Sequence, residues 1–289
     1  MAESVINYAS KFSDIVDERF SLGSVTDNAV NKEYEFDGVN TVSVYSVDVA
    51  PLNDYNRKSS NRYGVPVELG NAKQVLELKQ DKAFTFTIDK GNYNDTMMAN
   101  SAAKALERQI TEVITPAVDR YRLSVIAKGA GIINEQYPVT INYPYNAFLA
   151  VSKQLTENRV PLTGRIAFLS PDFYYRLLQD KSYTGMADRA ADLAAEGGAK
   201  MIDGVKIIVV PSDYLPENTN FLVTHPCACT SPVKLAEYTI HEKPQGISGW
   251  LVEGRVYYDA FVLKNKKMAI AISKYIPAED TTEEPSEAV

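Results

Sequence analysis

Few side chains in this sequence are suited to metal binding or nucleophilic catalysis. Its histidines and cysteines all lie in the last third: His225, Cys227, Cys229 and His241. Zinc binds such groups, but an H-x-C-x-C run with a second histidine twelve residues further on matches no common structural zinc site. We interpret the cysteines as buried, reduced thiols, because a disulfide between residues two apart would be strained. The histidines are interpreted as surface imidazoles.

No other catalytic signature is present. A Ser-His-acid triad has only two histidines available, and no G-x-S-x-G elbow presents a serine. The glycine pairs are not followed by the Lys-Ser/Thr of a phosphate-binding loop. The adjacent Glu283 and Glu284 lie in an acidic C-terminal stretch and are interpreted as solvated charge. We therefore predict no catalytic residue, no cofactor site and no metal site, and a protein that is not an enzyme.

The composition is that of a globular protein. The chain has 289 residues, of which 45% are hydrophobic and 23% charged, with a net charge of -7. That charge argues against a chain that grips nucleic acid as a whole, since phosphate binding needs clustered Lys and Arg. No apolar run approaches the length of a membrane span, and the N-terminus does not resemble a secretory signal. We expect folding in a cytoplasm. The 18 tyrosines against one tryptophan suit surfaces buried against a partner, although core tyrosines would give the same count.

The first half of the sequence predicts a long β-hairpin. The stretch FTFTI, residues 84–88, alternates apolar and polar residues without a fault, and β-type patterns cover 34–49 and 75–88. A polar, basic, turn-rich segment, 51–64, separates them. Two strands alone are marginal in water, and no adjacent helix is available in the sequence to cover them. Either the hairpin folds back on the core of its own chain or another subunit covers it.

Helical spacing then runs from about residue 94 to 128. Asn94 or Asp95 can cap this helix, Pro116 should kink it, and Gly129 should end it. One side carries mostly charged residues, for which a solvated face is the simplest interpretation. These residues are Lys104, Glu107, Arg108, Glu112, Asp119 and Arg122.

After Tyr143 the pattern changes to α/β alternation. Helices are predicted at YNAFLAVSKQLTENR and SPDFYYRLLQD, where Ser170 caps and Pro171 occupies the first position. RIAFL, VKIIVVP and FLVTH are predicted to be buried strands, and the segment from Trp250 to Tyr275 reads as two β segments turning near residues 264–267.

The order of these elements resembles the major capsid protein of tailed bacteriophages, the Hong Kong 97 type of capsid fold. The resemblance covers roughly residues 30–275 and rests on several stretches in the right order. They are FTIDKGNYNDT, VPLTGRIAFLSPDFYYRLLQD, GVKIIVVPSDYLP, THPCACTSPVKL and GWLVEGRVYYDAFVLKNK.

The resemblance implies an α+β fold and a division of the chain into parts. We expect an N-terminal arm (1–32), an extended loop formed by the long hairpin (33–92), the spine helix of a peripheral domain (93–135), an α/β axial domain (136–235), closing β strands of the peripheral domain (236–276) and an acidic tail (277–289). In this interpretation the Phe84–Ile88 strand is the return leg of the extended loop.

The resemblance also implies a function. The chain would self-assemble into pentamers and hexamers of an icosahedral or prolate shell that encloses double-stranded DNA without sequence-specific binding. Its other partners would be a portal protein and decoration proteins. A separate scaffolding protein is expected as well, because no room precedes the extended loop for a built-in assembly domain, unless this chain is already processed. It would be located in the virion, after assembly in the host bacterial cytoplasm. Two alternatives stay open, an encapsulin-like cargo compartment and, from another class, a dimeric α/β enzyme.

The residues predicted to act are therefore at subunit contacts. In the extended loop they are Tyr55, Arg57, Lys58, Arg62 and Tyr63. In the spine helix they are Glu107, Arg108 and Arg122. In the closing region they are Glu242, Lys243, Trp250, Glu253 and Arg255.

Overall fold

A computed structural model describes residues 24–31, 41–47, 49–58, 60–90, 101–136, 143–184 and 201–276. The helices are α1 (Ser101–Gln109), a π-helical segment (Ile110–Ile114), α2 (Thr115–Lys128), α3 (Pro144–Glu157), α4 (Pro171–Gln179) and α5 (Lys181–Thr184). The strands are β1 (Thr41–Val47), β2 (Asn71–Glu77), β3 (Gln80–Asp89), β4 (Ile132–Gln136), β5 (Ile166–Leu169), β6 (Met201–Ile202), β7 (Val205–Val209), β8 (Thr219–Thr224), β9 (Cys229–Thr230), β10 (Val233–Glu242), β11 (Gly249–Tyr258), β12 (Phe261–Val262) and β13 (Ile270–Tyr275). In the described residues they form four sheets, so the fold is mixed α+β.

The largest core surrounds a six-stranded sheet with the order β4-β13-β8-β5-β7-β6. Every residue of β5 and β8 is buried, as expected for strands covered on both faces. The ring of Phe221 lies 5.5 Å from that of Phe148 in α3 and 4.7 Å from that of Phe173 in α4. The Ser170 hydroxyl accepts a hydrogen bond from the Phe173 N–H, the predicted N-cap. The strands and helices predicted after Tyr143 are confirmed, but β7, predicted to be buried, exposes Lys206 and Val209 on one face.

A three-stranded sheet, β10-β11-β3, packs under the long helix, by which we mean residues 101–128. Leu106 and Ile110 of the helix are buried there against Val252 and Val256, and the alternating Phe84 and Phe86 complete the cluster. The prediction that Phe84–Ile88 is the return leg of the hairpin is wrong, because β3 pairs with β11 along its whole length. Alternation identifies the buried face of a strand, but it does not identify the pairing partner.

The hairpin consists of β1 and β2, paired antiparallel from Thr41↔Glu77 to Val47↔Asn71. Val42, Val44 and Leu76 are buried with Leu263, a residue close to the C-terminal end of the chain. The chain therefore covers the base of its own hairpin. The other face of the hairpin, with Tyr45 and Val75, and the segment between the two strands are exposed.

The long helix changes register at its middle. The Thr115 N–H donates to the Ile110 carbonyl, five residues back, and Pro116 follows in the first turn of α2. A proline has no N–H to donate, and a π turn is one known way to absorb that loss. The kink predicted at Pro116 stays a prediction, whereas Gly129 ends the helix as predicted. The predicted caps, Asn94 and Asp95, lie outside the described residues.

The two closing β segments do not form a hairpin. β11 belongs to the three-stranded sheet, whereas β13 lies in the six-stranded sheet between β4 and β8. A 3₁₀ turn at Lys264–Ala269 precedes β13, near the predicted turn. The six-stranded sheet thus takes strands from three of the predicted parts of the chain, because strands distant in sequence meet within one core.

Candidate subunit-contact surfaces

The loop surface comprises residues 49–58 and 60–69, between β1 and β2. The predicted contact residues Tyr55 and Tyr63 meet here, with ring centroids 5.0 Å apart in an edge-to-face arrangement. The Asn56 N–H donates to the Arg62 carbonyl at 3.1 Å, and Gly64 adopts a φ of 87° that closes the turn. The structure therefore brings the five predicted loop residues together at one tip, and all five are exposed.

The loop surface also carries apolar side chains that sequence reasoning missed. Leu52 is fully exposed, and the exposed fractions of Val65, Val67 and Leu69 are 74%, 66% and 56%. Covering such a side chain contributes about 1.5–3 kcal/mol, so leaving four of them in water is costly for an isolated chain. The alternation Val-Pro-Val-Glu-Leu from residue 65 to 69 was a signal that could have identified this row.

On the long helix, the three predicted contact residues have different environments. Arg108 is exposed and pairs with Glu112 at 3.1 Å, one turn away, and Glu107 is half-buried. Arg122, in contrast, is only 1% exposed. The prediction that Arg122 contacts a neighbouring subunit is wrong, because its guanidinium is enclosed by its own chain. Asp119, interpreted from the sequence as solvated, is also 1% exposed.

Arg122 and Asp119 hold residues 24–27 against the long helix. Arg122 donates to Ser231 at 2.8 Å and to Thr26 at 3.2 Å. The Asp119 carboxylate accepts hydrogen bonds from the hydroxyls of Ser24 and Thr26, both at 2.5 Å. Burial lowers the pKa of the Arg122 guanidinium, while Asp119 and Asp27 act in the opposite direction. This part of the predicted N-terminal arm therefore lies on its own chain; residues 1–23 lie outside the described residues.

The outer face of the three-stranded sheet carries one exposed ion pair and one exposed contact between a histidine and a carboxylate. Arg255 makes a bidentate contact with Asp81, at 2.9 and 2.6 Å, and this hydrogen bonding lowers the pKa of the Asp81 carboxyl. His241 lies 3.3 Å from Glu253. Of the predicted closing-region residues, Glu253 and Arg255 therefore share this polar face.

The remaining closing-region residues lie at one end of the sheet. Glu242 and Lys243 are exposed where β10 turns into β11, and Trp250, the cross-strand partner of Glu242, is half-buried. A glycine supports the packing beneath: a Cβ on Gly254 would clash with the Phe84 ring and lie 2.7 Å from Tyr238. The flat outer face thus rests on a closely packed aromatic layer.

The two histidines and two cysteines lie in two separate parts of the structure. The His225 ring bonds the Thr163 carbonyl at 3.1 Å and accepts from the Cys227 N–H, and burial lowers its pKa. Cys229 is buried and Cys227 is half-buried, and both are free thiols; their reduced state in the cell stays a prediction. His241 lies on the other sheet. Within the described residues no group of three His, Cys, Asp or Glu side chains could hold a metal ion.

Comparisons with known proteins are informative at the level of structure. Protein-family models and curated proteins gave no match to the sequence.

Among the described residues, no helix has the length and apolar character needed to cross a membrane.

Solved structures resemble most of the chain. A structure from Mycobacterium phage Che8 matches with a TM-score of 0.68 and 18% identity, over 86% of this chain and 90% of the other. The capsid structure of cyanophage P-SCSP1u matches with a TM-score of 0.69 and 14% identity, over 88% of each chain. A virus-like particle from Pyrococcus furiosus matches with a TM-score of 0.56 and 12% identity, over 92% of this chain and 99% of the other. The chain therefore has the fold of phage capsid structures, which confirms the resemblance seen in the sequence at the level of the fold.

Proposed function

We propose that this chain is the major capsid protein of a tailed bacteriophage, built to form a closed shell from many copies of itself. The observation that supports this most directly is the likeness to phage capsid structures over about 88% of the chain. A fold alone does not determine a function, so the surfaces must also fit. In this proposal the long helix is the spine, and the six-stranded sheet with α3 and α4 is the axial domain.

The loop surface supports assembly on physical grounds. Its tip combines two exposed tyrosines with Arg57, Lys58 and Arg62, and tyrosine and arginine are enriched at protein interfaces. The apolar row behind the tip is exposed in a single copy. A neighbouring subunit that covered the row would remove this surface from water, and many such modest contacts act together in a closed shell.

The assembly and its partners follow as parts of the proposal. Pentamers and hexamers would form an icosahedral or prolate shell around double-stranded DNA, with a portal protein, a scaffolding protein and decoration proteins as further partners. The net charge of -7 fits a wall that encloses DNA without gripping it. Assembly would take place in the host bacterial cytoplasm, and the protein would then reside in the virion.

A second candidate is a cargo compartment of the encapsulin type. The similarity to the virus-like particle from Pyrococcus furiosus, which covers 92% of this chain, leaves this candidate open. Both candidates require a shell, and they differ in what the shell contains. The third alternative, a dimeric α/β enzyme, requires neither a shell nor cargo.

Electron microscopy of the purified product, combined with light scattering, tests the proposal. We expect closed shells or capsomers of very high mass, and nuclease-protected DNA in shells recovered from infected cells. A small oligomer with no larger particles would refute the shell, and protein cargo without DNA would favour the encapsulin-like compartment.

The loop surface has its own test. Replacing Arg57 and Arg62 by Ala should leave the secondary structure unchanged and reduce shell yield severalfold, because both cations are exposed at the tip. Lys153→Ala, an exposed cation on α3 paired only with Glu157, is the matched control and should assemble normally. Normal assembly of the double variant would refute the role of the loop surface in subunit contacts, but it would not refute shell formation.

A further inference from the structure

A groove of about 520 Å³ lies between α2 and the end of the six-stranded sheet. One wall is α2, which contributes Arg120 and Lys128. The opposite wall is the segment Asp213–Pro216, and the floor is formed by Ile272 and Lys274 of β13. Neither the proposed shell contacts nor the Arg122 network uses this groove.

The charged residues that line the groove are mainly basic. Among the described residues that line it, three are basic and one is acidic. The acid, Asp213, is bound to Arg120 at 2.5 Å, and the Arg120 guanidinium also lies 5.4 Å from the centre of the Tyr214 ring. Lys128 and Lys274 carry the charge that remains. Such a groove favours an acidic ligand, and the half-buried Tyr214 and Pro216 offer it some apolar surface.

The chain itself leads into this groove. The Tyr275 N–H at the end of β13 donates to the Asn218 carbonyl at 2.8 Å, two residues beyond Pro216 in the groove wall. Ile272 and Lys274 line the groove, and successive residues of a strand alternate between faces, so Ile276 lies on the same side. The next residues, 277–289, contain five acids and no base.

We propose that residues 277–289 dock in this groove of the same chain, with their carboxylates against Lys128 and Lys274. An extended chain advances about 3.3 Å per residue, so Glu279 and Asp280 lie within about 15 Å of Ile276. Arg120 and Lys128, eight residues apart, are separated by about 12 Å along the helix, a span that the tail can follow. Attachment to β13 makes docking intramolecular, which raises the local concentration of the tail over that of any other copy.

Zero-length carbodiimide cross-linking tests the contact on the unassembled full-length protein. A mixture of unlabelled and isotope-labelled chains is treated, digested and analysed by mass spectrometry. We expect amide links from Lys128 to Glu279, Asp280, Glu283 or Glu284 within chains of one isotope, since links from Lys274, only five residues before Glu279, would form without docking. Links that join the two isotopes would show that the tail binds another copy, and an absence of links would likewise overturn the proposal.

Lysine acetylation gives a second, independent measurement. In a variant with all five tail acids replaced by their amides, Lys128 and Lys274 should react severalfold faster than in the natural chain. The difference should disappear in about 1 M NaCl, where the screening length falls to about 3 Å. Lys153, exposed on α3, is the internal control and should react equally in both proteins. If Lys128 and Lys274 reacted at the same rates in the variant as in the natural chain, the proposal would be overturned. Because the measurement needs no shell, neither result bears on the proposed function.

Discussion

The Asp119 carboxylate accepts a hydrogen bond from the Val25 N–H at 3.0 Å, and thereby joins the long helix to a segment 94 residues away in sequence. The same carboxylate binds two hydroxyls of that segment, and Arg122 completes the network from the next turn of the helix. The start of the described chain is thus held by buried charge as well as by apolar packing. The partners satisfy one another, which is the condition under which buried charge is tolerated.

Removing the Asp119 carboxylate should therefore destabilise the unassembled protein strongly. Asp119→Ala leaves the Arg122 guanidinium buried with less compensation, and such losses amount to about 3–5 kcal/mol. The free energy of unfolding from urea titration measures the effect. Arg108→Ala is the matched control, since it breaks an exposed pair and should cost less than about 1 kcal/mol. Equal losses in the two variants would contradict the role assigned to the network.

Gly254 and Phe84 should behave as a coupled pair. Gly254→Ala places a methyl group against the Phe84 ring, and overpacking of this kind costs about 1–3 kcal/mol. Phe84→Ala removes the ring that the methyl group meets. The double variant should therefore lose less stability than the sum of the two single variants in a double-mutant cycle. Strict additivity would show that the ring moves aside without cost.

Local sequence patterns predicted the elements of the fold well. Ser170 and Pro171 marked the start of a helix, IAFL marked a buried strand, and Gly129 marked the end of the long helix, because each signal acts within a few residues. The pairing of strands within the sheets was predicted less well. The alternation of Phe84 and Phe86 gave the correct face but no information on its partner, which lies about 170 residues further on.

The candidate surfaces show the same difference between features set by local sequence and features set by distant segments. The loop tip was predictable, because Tyr55 and Arg57 lie in a polar, turn-rich segment whose exposure follows from its composition. Arg122 was not, because the residues that enclose it, such as Ser24 and Ser231, come from distant parts of the chain. Local sequence alone predicts that a charged residue on a helix is solvated, because it does not show whether distant segments cover that residue.

The two cysteines should differ sharply in reactivity. Burial raises the pKa of the Cys229 thiol to about 12, so almost none is present as the reactive thiolate near neutral pH. Cys227 is half-buried. At about pH 8 an aromatic disulfide reagent should label only Cys227 in the native protein and both thiols after unfolding. Cys227→Ser should abolish native labelling, and rapid labelling of this variant would show that Cys229 is accessible.

Tyr121 should make the protein sensitive to alkali. Its hydroxyl donates to Asp259 at 2.7 Å, and burial together with this bond raises its pKa from 10.0 to about 12. The folded state keeps this proton when the unfolded state has lost it, so the contribution to stability is complete below pH 10 and disappears as the pH rises towards 12. Tyr121→Phe removes the titrating group, and the free energy of unfolding should then fall less steeply across this interval. Burial also raises the pKa of Tyr258, so some dependence on pH should persist. Tyr55→Phe, at the exposed loop tip, is the control and should retain the slope of the natural chain; the same slope in Tyr121→Phe would contradict the assignment.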